Sequence, residues 1–386
     1  MPTFYEFFAG GGMARAGLGV GWRCTFANDF DEMKAATYRD NWGADHLVCG
    51  DVAKVKASDL PGVADLCWAS FPCQDLSLAG DYRGLGRADS VAMTRSGTFW
   101  PFWKLMEELV REGRAPRLIV LENVYGALTS HEGRDFVAIS AALSDSEYRF
   151  GAVVVDARLF VPQSRPRVFF IAARSGEHIP EGLVVDGPQS LWHPAALRAA
   201  HAALSDEARK NWIWWDIRAP GARNTVFADL IEETPTAVDW HTPEQTQHIL
   251  RMMSPANRAK VAAAIEANGT IIGGVYRRTR PDEKGVKRQR AEVRFDDVAG
   301  CLRTPAGGSS RQTILVIEGE KIRSRLLSPR EAARLMGLDD SYKLPTRYND
   351  AYHVAGDGVC VPVVRHLAHN LIEPVIGATA TLEAAR

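Results

Sequence analysis

The sequence predicts an α/β fold: a mostly parallel sheet with helices on both faces, carrying a smaller inserted domain. Three observations predict it. Short β-rich runs alternate with helical stretches up to about residue 175, and such alternation produces parallel strands joined by crossover helices. From about 186 to 325 that rhythm gives way to scattered tryptophans, prolines and a basic stretch. A strongly capped helix then resumes near residue 328, so the chain returns to ordered helical structure. A chain of 386 residues is long enough for two domains or for one large domain with an insertion.

In order, "TFYEFF", "CTFAND", "DLCWAS", "RLIVLEN", "FGAVVVDA" and "VFFIAAR" read as strands, rich in β-branched and aromatic residues. Between them "GMARAGLG", "DEMKAATYRDNW", "FWPFWKLMEELVREG" and "DFVAISAALSDS" carry apolar residues at helical spacing. The middle holds one long helical stretch, "EQTQHILRMMSPANRAKVAAAIEAN". At "SPREAARLMG", Ser328 is a cap, Pro329 the first helical residue and Glu331 the reciprocal partner. "VPVVRHLAHNLIEPVI" reads as a last helix returning to the first domain, and "GATATLEAAR" as a loose tail. The expected domains are 1–185, 186–325, and a hinge with C-terminal helix at 326–386.

A net charge of −1 selects no partner for the chain as a whole. The local balance differs: residues 276–294 hold eight lysines and arginines against three acidic residues, a net charge of +5. They are open to two readings, a nucleic-acid contact or a solvated charged loop. Six cysteines without CxxC pairs suit reduced thiols in a cytoplasmic protein, and ten histidines without metal spacing predict no metal site. The sequence has no basic leader with an apolar core and no apolar run long enough to span a bilayer, so no membrane partner is expected.

The glycines of "EFFAGGGMARAGLG", at 10, 11 and 12, let backbone approach a ligand or simply make a tight turn. The pattern is neither GxxxxGK[ST] nor GxGxxG. Asp29 follows at the end of the second strand, where α/β folds place a carboxylate for ribose hydroxyls. Asp51 stands where the next strand should end, able to accept from an adenine amine. Carboxylates at successive strand ends point to a nucleoside-containing cofactor. In "SFPCQDLSLAG", Pro72 restricts Phe71 to extended backbone and Cys73 opens the loop above the sheet, whereas Cys67 sits inside the strand. Glu122 ends a strongly apolar run, where desolvation disfavours a charged carboxylate and suits a proton donor; a cap or an ion pair is equally open. Arg165 and Arg167 precede another strand and can bind an anion, orient a carboxylate or fringe the sheet.

Taken in order, FAGGG, NDFD, GDV, FPCQ, LENV, QSRPR and SPREAARLMG resemble the DNA (cytosine-5)-methyltransferase family of bacterial or phage restriction-modification type. The resemblance covers about residues 3–175 and 324–370. It implies a Rossmann-like S-adenosylmethionine-dependent methyltransferase domain with an inserted target-recognition domain. It assigns Cys73 as the nucleophile toward carbon 6 of cytosine and Glu122 as the group at N3. Asn123 would hold the loop, and Arg165 would bond the base carbonyl or support Glu122. It places Phe8 against the adenine, Gly10 and Gly12 near the methionine moiety, Asp29 on the ribose and Asp51 on the adenine amine. Phe30 and Phe99 would line that pocket, with Pro72 beneath. Asp357 and Gly358 stand where the family usually has Asn-Ala/Ser, Glu6 where Asp is usual, and Cys301 where Thr is usual.

For the partner, double-stranded DNA, the resemblance assigns the stretch after Cys73 to a mobile lid, with Ser77 on the target phosphate and Arg83, Arg87 and Arg95 toward other phosphates. "GCLRTPAGGSSRQT" resembles the family's recognition core, bringing in Arg303 and Thr304. Arg167, Arg277, Arg278, Arg280, Arg288 and Arg290 join the candidate DNA contacts. "NWIWWDI", 211–217, reads as core or inter-domain packing before a base-stacking platform. A monomer, with a separately acting cognate endonuclease as a candidate partner, completes the expectation; the alternatives are a tRNA cytosine-5 methyltransferase of the same fold and a non-catalytic DNA-binding relative.

Overall fold

In the computed structural model, residues 1–72, 98–267, 269–281, 285–303 and 311–384 are described. The chain forms two compact units. The first comprises residues 1–156, 166–221 and 359–386, and the second 157–165 and 222–358. The boundary thus falls at 221/222 rather than at 185/186, and residues 326–358 pack within the second unit.

The first unit is built on β1 (Thr3–Phe7), β2 (Arg23–Asp29), β3 (Leu47–Cys49), β4 (Leu66–Ala69), β5 (Leu118–Val124), β6 (Tyr148–Asp156) and β7 (Pro166–Arg174). Helices α1 (Met13–Leu18), α2 (Glu32–Trp42), α3 (Phe99–Arg111) and α4 (Arg134–Asp145) connect or flank them. The strand order is β3-β2-β1-β4-β5-β7-β6, and β7 alone runs antiparallel to its neighbours. The central strands are apolar because both faces are covered: Leu118, Ile119, Val120 and Leu121 are fully buried. Burial of each such side chain contributes about 1.5–3 kcal/mol. The order reverses between β1 and β4, and open α/β sheets bind ligands beyond the carboxyl ends at such a point.

The tryptophans of 211–217 pack into this unit, as the core reading expects. Trp215 is fully buried and donates from Nε1 to the Ile171 carbonyl at 3.1 Å, in a segment holding β8 (Val184–Val185), α5 (Ala195–Ala202), α6 (Asp206–Lys210) and β9 (Trp214–Trp215).

The second unit holds α7 (Pro243–Arg251), α8 (Pro255–Glu266) and the antiparallel strands β10 (Thr270–Pro281), β11 (Lys287–Arg294), β12 (Thr313–Glu318) and β13 (Lys321–Leu326), in the order β11-β10-β12-β13. The expected helical stretch forms as two helices, because Ser254 caps the Asn257 amide and Pro255 restarts the helix. The basic stretch is a β-hairpin rather than a loop. After β13 come α9 (Pro329–Leu335) and α10 (Tyr348–Asp357).

The capping box forms as expected: Ser328 Oγ accepts from the Glu331 amide at 3.1 Å, and Glu331 Oε2 accepts from the Ser328 amide at 2.7 Å. Glu331 also forms a fully buried ion pair with Arg325 at 2.6 Å, which sequence pattern does not disclose. The chain then returns to the first unit in α11 (Val361–Leu367) and α12 (Glu373–Ala384). Gly17 of α1 has no room for a Cβ against Val364, so these helices meet closely. The expected loose tail continues α12 to Ala384.

Candidate active site

The carboxyl edge of the first unit's sheet assembles the candidate residues. After β1 the chain turns through Phe8, Gly10 and Gly12, all at positive φ (56°, 56° and 78°). Such backbone is costly for a bulky residue and marks a constrained turn. Gly12 is required twice over, because a Cβ there would also strike Trp42 and Tyr38 of α2. From β2, Asp29 closes the turn: Oδ2 accepts from the Gly10 amide at 2.7 Å and Oδ1 from the Asp31 amide at 2.9 Å. Burial raises the Asp29 pKa, while Lys34 and these two bonds oppose the rise.

Phe30, the next residue, is 78% exposed. A large ring left in water beside a carboxylate is an unpartnered stacking surface. Asp51, beyond β3, holds the Ala53 amide at 2.9 Å. Glu6, inside β1, is 1% exposed; Oε1 accepts from the Arg15 amide at 3.4 Å, and the Tyr38 hydroxyl faces the same carboxyl. Burial pushes its carboxyl up to about 8. An exposed aromatic ring, two strand-end carboxylates and an open glycine turn fit a nucleoside-bearing cofactor.

From β4 the chain passes through Phe71 to Pro72. Phe99 packs on Phe71 at 5.2 Å and stacks on Trp103 at 5.7 Å and 14°. It is fully buried, so instead of lining a pocket it forms the aromatic base beneath the approach to Pro72. Cys73, Ser77, Arg83, Arg87, Arg95 and the expected lid lie outside the described residues, as does Thr304. Cys67 is the core thiol expected, fully buried and pushed up by that burial.

Glu122 lies near the end of β5, 6% exposed. Its Oε1 is 3.1 Å from Arg167 Nε, both side chains being mostly buried. Strand direction explains the pair: β7 is antiparallel, so its first residues share an edge with the last residues of β5, and Arg167 pairs across from Val124. Arg167 thus gives Glu122 an ionic support that was one of the two roles expected of Arg165. Arg165 belongs to the second unit, where Nη1 donates to the Leu302 carbonyl at 3.2 Å and Nη2 to the carbonyls of Gly356 and Gly358 at 2.9 and 2.8 Å. Asp357 and Gly358 also lie in the second unit, at the end of α10. Asn123 ties the site together: Nδ2 donates to the Phe71 carbonyl at 3.5 Å and Oδ1 accepts from the Val124 amide at 2.8 Å.

In the second unit, β10 and β11 pair Arg278 opposite Arg290, and Arg280 opposite Arg288. Like charges directly opposite one another oppose pairing. Arg278 finds some relief in Glu292, Nε to Oε2 at 3.5 Å. Arg278, Arg288 and Arg303 are exposed; Arg277 and Arg290 are half-buried. Among the described residues no cluster of histidine, cysteine or carboxylate side chains could hold a metal ion, and no helix is long and apolar enough to cross a membrane.

Sheet order, strand-end carboxylates and glycine turn define the class: an α/β enzyme of the S-adenosylmethionine-dependent methyltransferase fold. The model of the C-5 cytosine-specific DNA methylase family matches residues 2–373, and the chain belongs to that family. It is a DNA cytosine-5 methyltransferase that uses S-adenosylmethionine.

Among its relatives are the type II methyltransferases M.HhaI of Haemophilus parahaemolyticus, 24% identical over 95% of this chain and 93% of that protein, and M.HpaII of Haemophilus parainfluenzae, 27% identical over 96% and 89%. M.NlaX of Neisseria lactamica is 26% identical over 96% of both. In fold the chain is similar to Schizosaccharomyces pombe Dnmt2 methyltransferase (TM-score 0.58, 15% identity, 97% of this chain and 99% of that one). It is also similar to a putative DNA modification methyltransferase encoded within an Escherichia coli prophage (TM-score 0.55, 16% identity, 99% and 100%).

Proposed function

We propose that this chain methylates a flipped cytosine within a specific duplex sequence, with Cys73 as nucleophile and Glu122 as the group that acts at N3. The observation that carries the reading is the arrangement around Glu122. A buried carboxylate ends β5, Arg167 supplies its counter-charge, and the adjacent Asn123 bonds the carbonyl of Phe71, two residues before Cys73. A carboxyl group and the residues that lead to the nucleophile are thereby held at one strand end.

S-adenosylmethionine, when bound, supplies a methyl group on an electrophilic sulfonium. Phe30 and Phe8 would stack on its adenine, Asp51 would accept from the adenine amine, and Asp29 would bond the ribose. Gly10 and Gly12 would let the backbone approach its amino-acid end.

Carbon 5 of cytosine is a poor nucleophile until the ring is activated. The Cys73 thiolate adds to carbon 6, and the electron pair released into the ring is stabilised by the Glu122 carboxyl at N3. Carbon 5 thereby becomes nucleophilic. After methylation, loss of the carbon 5 proton returns electrons to the ring and expels Cys73 by β-elimination. None of this is reachable in a stacked duplex, so the base must be extruded. The second unit would recognise the target sequence, its arginine-rich hairpin meeting phosphates and base edges. A monomeric, cytoplasmic modification enzyme accompanied by a separately acting endonuclease suits its type II relatives.

The test is covalent trapping on duplex DNA carrying 5-fluorocytosine, where fluorine cannot leave as a proton. The wild-type chain should form a stable adduct, and Cys73→Ser should form none while still binding S-adenosylmethionine. An adduct with Cys73→Ser, or methylation of tRNA with none of duplex DNA, would overturn the reading.

A further inference from the structure

Behind the glycine turn lies a partly buried polar cluster that the methyl-transfer chemistry does not use. Arg15 of α1 donates from Nη1 to the Tyr38 hydroxyl at 3.2 Å, and the same nitrogen is 2.5 Å from His46 Nε2. The Tyr38 hydroxyl is 3.1 Å from His46 Nε2 and 3.5 Å from Cys24 Sγ. A guanidinium has donors only, so His46 Nε2 must be the acceptor and the imidazole is neutral, with its proton on Nδ1.

The cluster bears directly on the turn. The guanidinium of Arg15 lies over the rings of Trp42 (5.1 Å) and Tyr38 (5.8 Å). Trp42 Nε1 donates to the Gly11 carbonyl at 3.0 Å, and Trp42 with Tyr38 fills the space where a Gly12 side chain would go. The Arg15 amide bonds Glu6 of β1. The groups facing His46 are thus Arg15 from α1, Tyr38 from α2, Cys24 from β2 through Tyr38, Glu6 from β1 through Arg15, and Asp45 beside it in the chain.

We propose that His46 is a positioning residue for cofactor binding: neutral, it holds Arg15 and Tyr38 beneath the Gly10–Gly12 turn, and its protonation drives Arg15 away and loosens the turn. The proposal rests on the reading that this turn receives S-adenosylmethionine. Protonation would set two cations 2.5 Å apart in a partly buried site. Burial and Arg15 both lower the His46 pKa, while Asp45 raises it, so the neutral form prevails at neutral pH and the transition falls on the acid side.

The experiment is calorimetric titration of the full chain with S-adenosylmethionine from about pH 7.5 to about pH 5, the range in which imidazoles charge. Wild-type affinity should fall by up to about tenfold for each pH unit below the His46 transition, the limit for one coupled proton. His46→Gln, which keeps an uncharged acceptor, should lose the part of the acid-side fall carried by His46 and keep only that of Asp29, whose carboxyl burial also shifts upward. It should show a correspondingly smaller acid-side rise in KM for cofactor and little change in kcat at saturation. An acid-side fall retained unchanged in His46→Gln would overturn the proposal. In parallel, nitrogen NMR of the wild-type His46 ring should show an unprotonated Nε2 at neutral pH; an Nε2 bearing a proton there overturns the proposal even if the variant fails to fold. Absence of binding at neutral pH would instead count against the cofactor reading itself.

Discussion

Replacing Arg167 with Ala leaves the Glu122 carboxylate buried with its charge partner removed. The side chains are only 14% and 8% exposed, so solvent screens the pair little. Breaking a buried pair from one side costs about 3–5 kcal/mol; allowing for this residual exposure, about 2–4 kcal/mol is expected. In a unit of this size that lowers the melting temperature by roughly 4–16 °C, since each kcal/mol shifts it by about 2–4 °C. The assay pairs thermal unfolding with kcat on duplex DNA for Arg167→Ala, Glu122→Gln and the double variant. Because Glu122→Gln removes the buried charge, the double variant should recover part of the stability forfeited in Arg167→Ala, with a coupling of about 1–3 kcal/mol. It should recover no activity. An Arg167→Ala protein with wild-type melting and wild-type kcat would refute the reasoning, and Arg165 would again be the candidate partner.

Three further outcomes are expected. Glu6, pushed up to about 8 by burial, binds more protons folded than unfolded between its ordinary range and that value; its stabilising contribution is full below the ordinary carboxyl range and is lost as pH rises from there through about 8, so Glu6→Gln should flatten the fall of stability across that window measured by urea unfolding. Phe30→Ala should weaken S-adenosylmethionine binding about tenfold or more in calorimetry, given that aromatic stacking on a base is worth about 1–3 kcal/mol, without altering melting, because the ring is 78% exposed. Neutralising Arg278 and Arg290 together should reduce the slope of log K against log salt for duplex DNA by about 2, one for each phosphate that the protein no longer neutralises; an unchanged slope would remove the hairpin from the DNA interface.

Much of the fold was legible because it follows from local chemistry. The strands of the first half are apolar on both faces, as a sheet covered on both sides requires, and the Ser328–Glu331 box is written in adjacent residues. The strand-end carboxylates Asp29 and Asp51 could be anticipated from their spacing after the glycine turn. What was not legible depends on strand direction and on partners distant in sequence. Arg165 and Arg167 look equivalent in QSRPR; only a β7 that begins at Pro166 and runs antiparallel gives Arg167 to Glu122. Phe99 reads as a pocket residue until α3 brings Trp103 and Phe71 against it. Residues 186–221 change in composition yet pack with the first unit, because Trp212 and Trp215 bury against β6 and β7.

The hairpin's arginines bear on more than recognition. Strand β11 is an outer strand of its sheet; the Ala291 and Val293 amides on its edge are taken by the Met252 carbonyl and Asn257 Oδ1, which leaves the exposed 287–289 end as the part that a neighbouring molecule could pair with. Lys287 and Arg288, both exposed on it, make a second copy of the chain an unwelcome partner at that edge. The residues proposed to attract a polyanion thus also guard the protein against aggregation. Charge-neutral hairpin variants should accordingly be handled dilute, since reduced solubility in them would mimic weakened affinity for DNA.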